Sequence, residues 1–423
     1  MSRTLAALLA ATVCVGTAVA QTTPVASAEA PLTLDDAIAS ARARSPGMDA
    51  ADAAIRATTA GRTVAGLRPN PSFEGQAENV VGTGPYKGLS GSETTVGFSL
   101  PIETGGKRSA RVAVADTRVG RARLGAFVAL ADLELQVTET YVEAVGAERR
   151  LLVARQQAAI ATEGLRVARD RVMVGAASPI DQQRADVVSI NANVAVERAQ
   201  RSLDVARQNL SRLIGTAVNG PLDTAWFDHV AGFGPTVAPS ADGTLALAIA
   251  VADLATAEAQ IRLARANRVP DITLSAGARR LQSSRDTAAV VGVSIPIPLF
   301  NNGRAAIGQA TAERDQLMAQ LRLARLDADR AIASAVADVA NAAATARAAN
   351  GPALAAAQEA ARIARLGYGQ GKFNQIELLD AERTLSETRA TATDALIAFH
   401  TATARLRRLT SAAPSATPSG DYR

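Results

Sequence analysis

Residues 96–115 read VGFSLPIETGGKRSARVAVA, and residues 291–310 read VGVSIPIPLFNNGRAAIGQA. Each segment has an alternating apolar run, then Pro-Ile, a polar glycine turn and an alanine-rich run. A chain that writes one strand-to-helix junction twice folds as two copies of one unit. Other anchors keep nearly the same separation: Pro71 with Pro270, Pro101 with Pro296, and Gly175 with Gly371. The spacing predicts tandem repeats over 33–215 and 243–410, joined by a Gly- and Pro-rich linker over 216–242. Residues 411–423 read as a disordered tail.

Each repeat reads helix, strand, strand, long helix, helix. Residues 107–173 contain no proline and are mostly good helix formers. Leu130, Val137, Ala144, Leu151, Ala158, Leu165 and Val172 recur every seventh position, beside the small residues Ala147, Ala154, Ala161 and Ala168. That is a coiled-coil seam with close helix approach, in a helix about 100 Å long. The second copy, 303–369, carries Gly351-Pro352, where a kink or break is expected.

The return helices open on strong start signals. Ser178-Pro179-Ile180-Asp181 supplies an N-cap serine, a first-position proline and a carboxylate; Asn374-Gln375-Ile376-Glu377 has the capping-box form. Each repeat therefore holds a long antiparallel helical hairpin, with its tip near 175–180 or 371–376.

Four stretches carry an apolar residue at every second position: 72–79, 95–100, 272–278 and 289–295, the last with Val290, Gly292 and Ser294 in the alternate row. Pro101 and Pro296 are expected to close the second strand of each pair. Period two with one apolar and one polar face suits a membrane barrel wall around a wet lumen. A half-buried sheet in a soluble domain shows the same period. The setting favours the barrel, because four short strands lie between very long helices with no globular core to cover. Four strands cannot close a barrel, and an open edge in lipid strands backbone groups without partners. The chain must oligomerise, and three copies would give twelve strands and twelve helical columns.

The composition agrees. Hydrophobic residues make up 48% of the chain but aromatics only 3%, as in closely packed, alanine-rich helices. The 45 basic and 40 acidic residues are interleaved, with no segregated basic stripe or stacking aromatics to bind nucleic acid. Residues 1–20 read as a secretory signal peptide ending Ala18-Val19-Ala20. The single cysteine, Cys14, lies within it behind Val13, which argues against a lipoprotein. His229 and His400 are isolated, and no nucleophile elbow, phosphate loop or metal-ligand spacing is present. The sequence asks for no cofactor or resident metal and excludes the usual enzyme classes.

The sequence resembles the TolC family of outer-membrane efflux proteins across the whole mature chain. The likeness rests on LTLDDAIASARARSPGM near the start, PIETGGKRSAR, LARANRVPDITLS, PIPLFNNGR and VGAASPIDQQRAD. The two junctions are most similar to the CzcC-like branch, which serves heavy-metal efflux. The resemblance implies a homotrimer in the outer membrane of a Gram-negative bacterium. Its 12-stranded β-barrel would stand on a long α-helical barrel in the periplasm. It also implies a periplasmic adaptor (membrane fusion) protein and an inner-membrane RND-type pump that meet the helical tip.

By position, Asp181 and Tyr368 match residues that hold such a tip shut, and Glu377 and Asp380 match a carboxylate pair at the constriction. Phe373 stands where drug-exporting members place an arginine. Arg184, the first-repeat counterpart of Asp380, is expected to meet it across neighbouring hairpins. The barrel-to-tunnel junctions are marked by Pro101 and Gly106, and by Pro296 and Gly303. Helix capping alone also accounts for Asp181 and Glu377. A duct for drugs or type I secreted polypeptides, and a soluble periplasmic coiled-coil scaffold, are the competing functions.

Overall fold

The computed structural model describes residues 30–230 and 239–414. The expected signal peptide and most of the expected tail lie outside the described residues. The first repeat comprises α1 (Leu34–Arg44), α2 (Pro46–Ala65), β1 (Ser72–Glu78), β2 (Glu93–Ile102), α3 (Lys107–Met173) and α4 (Pro179–Ile214). The second comprises α5 (Leu245–Ala266), β3 (Ile272–Leu281), β4 (Thr287–Ser294), α6 (Arg304–Ala348), α7 (Leu354–Gly369) and α8 (Gln375–Leu409).

Two prolines set the differences between the copies. Ser45 is held extended (φ −74°, ψ 121°) ahead of Pro46, and this splits the opening helix of the first repeat. Its hydroxyl then caps the new helix by accepting from Gly47 N–H at 3.2 Å. In the second repeat a π-turn over Ala349–Ala353 separates α6 from α7, with Gly351 at φ −104°, ψ −105°. Arg155 stands at the matching place in α3, which runs unbroken for 67 residues.

Helix α3 packs against α2, α4, α5 and α8, and α6 packs against α5 and α8. The main core lies where these helices run side by side. Val137, Tyr141 and Val145 of α3 meet Leu210 and Ile214 of α4, and Leu396 and Phe399 of α8. The segment after α4 does more than connect. Phe227, only 2% exposed, enters this core with Leu222 and Val218. Leu32 and Leu222 form a parallel bridge, and the Tyr141 hydroxyl donates to the Leu32 carbonyl at 2.6 Å. Burial pushes that phenol up to about 12. The second repeat is tied off at the same place by an antiparallel bridge between Thr244 and Ala412. The first residues assigned to the tail are therefore paired backbone.

The strands form one antiparallel sheet in the order β1-β2-β3-β4. Register keeps the two faces separate. Phe73, Phe98, Ala276 and Val291 form one row across the sheet. Phe98 is 63% exposed and Val291 83% exposed on this apolar face. The rings of Phe73 and Phe98 meet edge to face at 5.4 Å. On the other face Ser99 donates to Glu74 at 2.6 Å, and Arg279 reaches Glu93 at 2.9 Å and Glu78 at 3.2 Å. Gly97 pairs with Gly277 at the sheet centre, where a Cβ on Gly277 would lie 2.5 Å from the Val96 carbonyl oxygen. Among the described residues, β1 and β4 each keep one unpaired edge.

Pro101 does not close β2. It lies inside the strand opposite Thr273, beyond the last residue that pairs with β1. A missing N–H is tolerated where a strand has only one neighbour. Pro296 follows the end of β4. The glycines of the two junctions are equivalent. Gly106 (φ 73°) and Gly303 (φ 75°) each cap a long helix in the left-handed region. A side chain there would be strained, which explains why both copies of the junction need the residue.

Candidate functional site at the hairpin tips

The two tips are built by the same backbone device. Helix α3 ends with Val174 N–H donating to Asp170, Gly175 to Val172 and Ala176 to Arg171. Helix α7 ends with Gln370 donating to Leu366, Gly371 to Tyr368 and Lys372 to Gly367. Gly175 (φ 73°) and Gly371 (φ 71°) supply the left-handed residue that lets a helix end in this way. The return helices then start on carboxylates. Ser178 N–H donates to Asp181 at 3.3 Å, and Asn374 N–H donates to Glu377 at 2.7 Å. Glu377 N–H returns a bond to the Asn374 side chain at 2.9 Å.

Capping thus occupies Asp181 and Glu377. The Arg184 guanidinium lies 4.0 Å from Asp181, one turn away on the same helix. Within one chain Arg184 and Asp380 are not brought together; Asp380 is exposed on the first turns of α8. Tyr368 is buried. Its ring lies under the Arg171 guanidinium, 4.7 Å from the ring centre, and its carbonyl accepts from the same guanidinium at 3.3 Å. Phe373 packs over Gly367, where a Cβ would come within 2.2 Å of the phenyl ring. This side chain therefore closes the tip of the second hairpin upon itself.

Three further groups were not visible as site residues in the sequence. Arg171 and Gln375 join the two hairpins, the latter donating to the Asp181 carbonyl at 2.8 Å. Arg365 grips Glu382 through two hydrogen bonds, one of them 2.9 Å long, with Glu382 only 5% exposed. That hydrogen-bonded carboxylate raises the guanidinium's pKa, against the effect of burial. The first hairpin repeats the pair as Arg169 and Asp186 at 3.6 Å, on a more exposed face. Each pair stands at matched distances either side of its tip, so counting outward from Gly371 and Gly175 would have found both. Gln375 and Arg171 give no such signal, because their partners lie in the other repeat.

The contacts at the tips are those of helix capping, packing and ion pairing. Among the described residues no group of three or more His, Cys, Asp or Glu side chains is placed to hold a metal ion. His400 sits among Trp226, Phe227 and Phe399, with Nε2 donating to the Phe227 carbonyl at 2.9 Å. His229 reaches only the Ala225 carbonyl. No described helix is long and apolar enough to cross a membrane.

The family model described as outer membrane efflux protein matches residues 37–216 and 242–412. The chain belongs to that family. Outer membrane efflux proteins are transport channels of the Gram-negative outer membrane with a periplasmic helical barrel, not enzymes. The chain is 29% identical over 367 residues to the cobalt-zinc-cadmium resistance protein CzcC of Cupriavidus metallidurans, covering 86% of each chain. It is 31% identical over 299 residues to the nickel-cobalt-cadmium resistance protein NccC of Alcaligenes xylosoxydans, covering 70% of this chain and 67% of that one. Its fold matches CusC at a TM-score of 0.75 and 19% identity, over 90% of this chain and 92% of that one. It matches the outer membrane protein VceC of Vibrio cholerae at 0.73 and 20% identity, over 90% and 96%. These likenesses place the sheet as a share of a membrane barrel and the helices as a share of a periplasmic one.

Proposed function

We propose that this outer membrane efflux protein is the exit duct of a tripartite system that expels heavy-metal cations. The 29% identity with a cobalt-zinc-cadmium resistance protein, over 86% of each chain, carries this reading. Three copies close the barrel through the free edges of β1 and β4, and the hairpin tips form its periplasmic end. A periplasmic adaptor and an inner-membrane RND-type pump meet that end. Asp181, Arg184, Tyr368, Glu377 and Asp380 line the gate. Asp380 carries the electrostatic part, because capping already engages Asp181 and Glu377. The duct itself does not choose the metal. Among the described residues it offers passing cations carboxylates but no ligand set, so the pump is the selective element.

The test is growth of a host lacking its own duct, supplied with this chain and its cognate pump and adaptor. Tolerance to cobalt, zinc or cadmium should rise, with little change toward apolar drugs. Drug tolerance without metal tolerance would refute the cargo. A monomer recovered without detergent would refute the duct.

A further inference from the structure

The strands of the two repeats correspond residue by residue. Residues 96–99 of β2 match 291–294 of β4 as VGFS and VGVS. Ser99 pairs with Ser72, and Ser294 pairs with Thr273. Ser72 is therefore the counterpart of Thr273, Phe73 of Leu274, Gly75 of Ala276 and Ala77 of Ala278. Pro69, rather than Pro71, then stands in the place of Pro270.

Where the first repeat joins the second, β2 pairs with β3. Val96 lies opposite Ala278, Phe98 opposite Ala276 and Leu100 opposite Leu274. The free edges are the counterparts of these two strands, β4 standing for β2 and β1 for β3. Transferred to them, the internal pairs become Val291 with Ala77, Val293 with Gly75 and Ile295 with Phe73, in different copies of the chain. Alternation alone does not choose this register, since a slip of two residues keeps both faces. The transferred register does suit the side chains. Both valines meet small residues, and Ile295 meets Phe73 as a β-branched and aromatic pair. Phe73 is 65% exposed and Val293 66% exposed in the single chain.

The helices point the same way. Helix α5, which leads into β3, packs on both α3 and α6 and buries Ala257, Ala259 and Ile261. Its counterpart α2 packs on α3 and has no buried residue. The neighbour that α2 lacks is an α6, and it comes from the same copy whose β4 reaches β1.

We propose that copies of the chain join in the register of the internal seam. Val291, Val293 and Ile295 of one copy lie opposite Ala77, Gly75 and Phe73 of the next, and α6 lies along that copy's α2. This rests on the closed barrel proposed above and fixes the pairing that closes it.

The test forms disulfides across the seam in outer-membrane preparations of the full chain carrying Cys14→Ala, which removes the single cysteine. Within one chain β1 and β4 lie three strand spacings apart, about 14 Å, so a link between them joins two copies. Directly opposite residues have Cβ atoms about 4.5–5.5 Å apart and diagonal ones about 7–8 Å, and only the first distance suits a disulfide. Ala77→Cys with Val291→Cys should give covalent oligomers on mild oxidation. The rate should be about tenfold that of Ala77→Cys with Ala289→Cys or with Val293→Cys. Glu74→Cys with Ser294→Cys samples the other kind of antiparallel pair in the same register, and reads it should the first pair perturb assembly. Oligomer mass under reducing conditions must match the parent protein. An intact oligomer that links fastest through Ala289 or Val293, or through no pair, overturns the register and leaves the duct standing. A chain that stays monomeric in detergent overturns both.

Discussion

Adjacent valines on β4 give the sharpest test of the membrane wall. Val291 lies in the apolar row with Phe98 and Ala276, and Val290 lies on the other face opposite Gly277. The strands have 7 to 10 residues. At about 3.3 Å per residue and a tilt of about 40°, the longer ones span roughly 25 Å, the height of an outer-membrane apolar band. Val291 is near the middle of β4, which runs from Thr287 to Ser294. An arginine there faces the hydrocarbon mid-plane and should cost about 2–4 kcal/mol in every copy. An arginine at 290 faces the lumen, in the row that contains Glu74, and should cost about 0.5 kcal/mol or less. The assay compares the amount of SDS-resistant oligomer in the outer-membrane fraction and its melting temperature. Val291→Arg should deplete the oligomer, while Val290→Arg should match the parent. Equal damage from both, or none from Val291→Arg, would refute the assignment of faces.

Three other outcomes follow from side-chain geometry. Gly367→Ala sets a methyl group against the Phe373 ring and should destabilise the second tip by about 1–3 kcal/mol. Adding Phe373→Ala should recover much of that loss, as read by hydrogen exchange at the tip. Removing Arg365 takes both hydrogen bonds from the buried Glu382 carboxylate, leaving Arg389 as its neighbouring cation, and should cost about 2 kcal/mol, a figure reduced because Arg365 is partly exposed. Changing both residues to methionine should restore thermal stability to near the parent value. Burial lowers the pKa of His400, opposed by its bond to the Phe227 carbonyl and by Asp228. The folded chain therefore prefers neutral imidazole, and the unfolded chain binds the proton more readily. Stability should be flat above the unfolded value of about 6.5, fall as pH drops through it, and level off below the folded value. Trp226, the single tryptophan, touches His400 and reports the melt; His400→Gln should lose this pH dependence.

What was legible in the sequence followed from periodicity and punctuation. The proline-free run 107–173 is a helix from Lys107 to Met173, and the alternating runs are strands with ends shifted by a few residues. Gly175, Gly371 and the cap residues marked both tips, because a helix can end or begin in only a few local ways. Gly351-Pro352 announced the interruption in the second copy. The unread parts depend on residues distant in sequence. Phe227 and Leu222 lie in a stretch with neither helical nor strand period, and only the fold shows that they enter the core. Gln375 looks like any polar residue in a first helical turn until α4 brings the Asp181 carbonyl to it. Pro101 misled because proline disfavours strands in general, whereas here it occupies a stretch that has lost one neighbour.

The broken column in the second repeat has a mechanical consequence. Helix α3 is a single rod from barrel junction to tip, whereas the matching column has a joint at Ala349–Ala353. From Gly351 to Gly369 the chain rises about 27 Å at 1.5 Å per residue, so the second tip hangs on a lever of that length. A sideways push on both tips is then shared unequally. The first resists with the bending stiffness of a continuous helix, and the second turns about its joint until its bonds to Arg171 and Asp181 restrain it. A ring assembled from such chains alternates stiff and compliant posts. The duplication that made the two halves alike in outline leaves them unlike in elasticity.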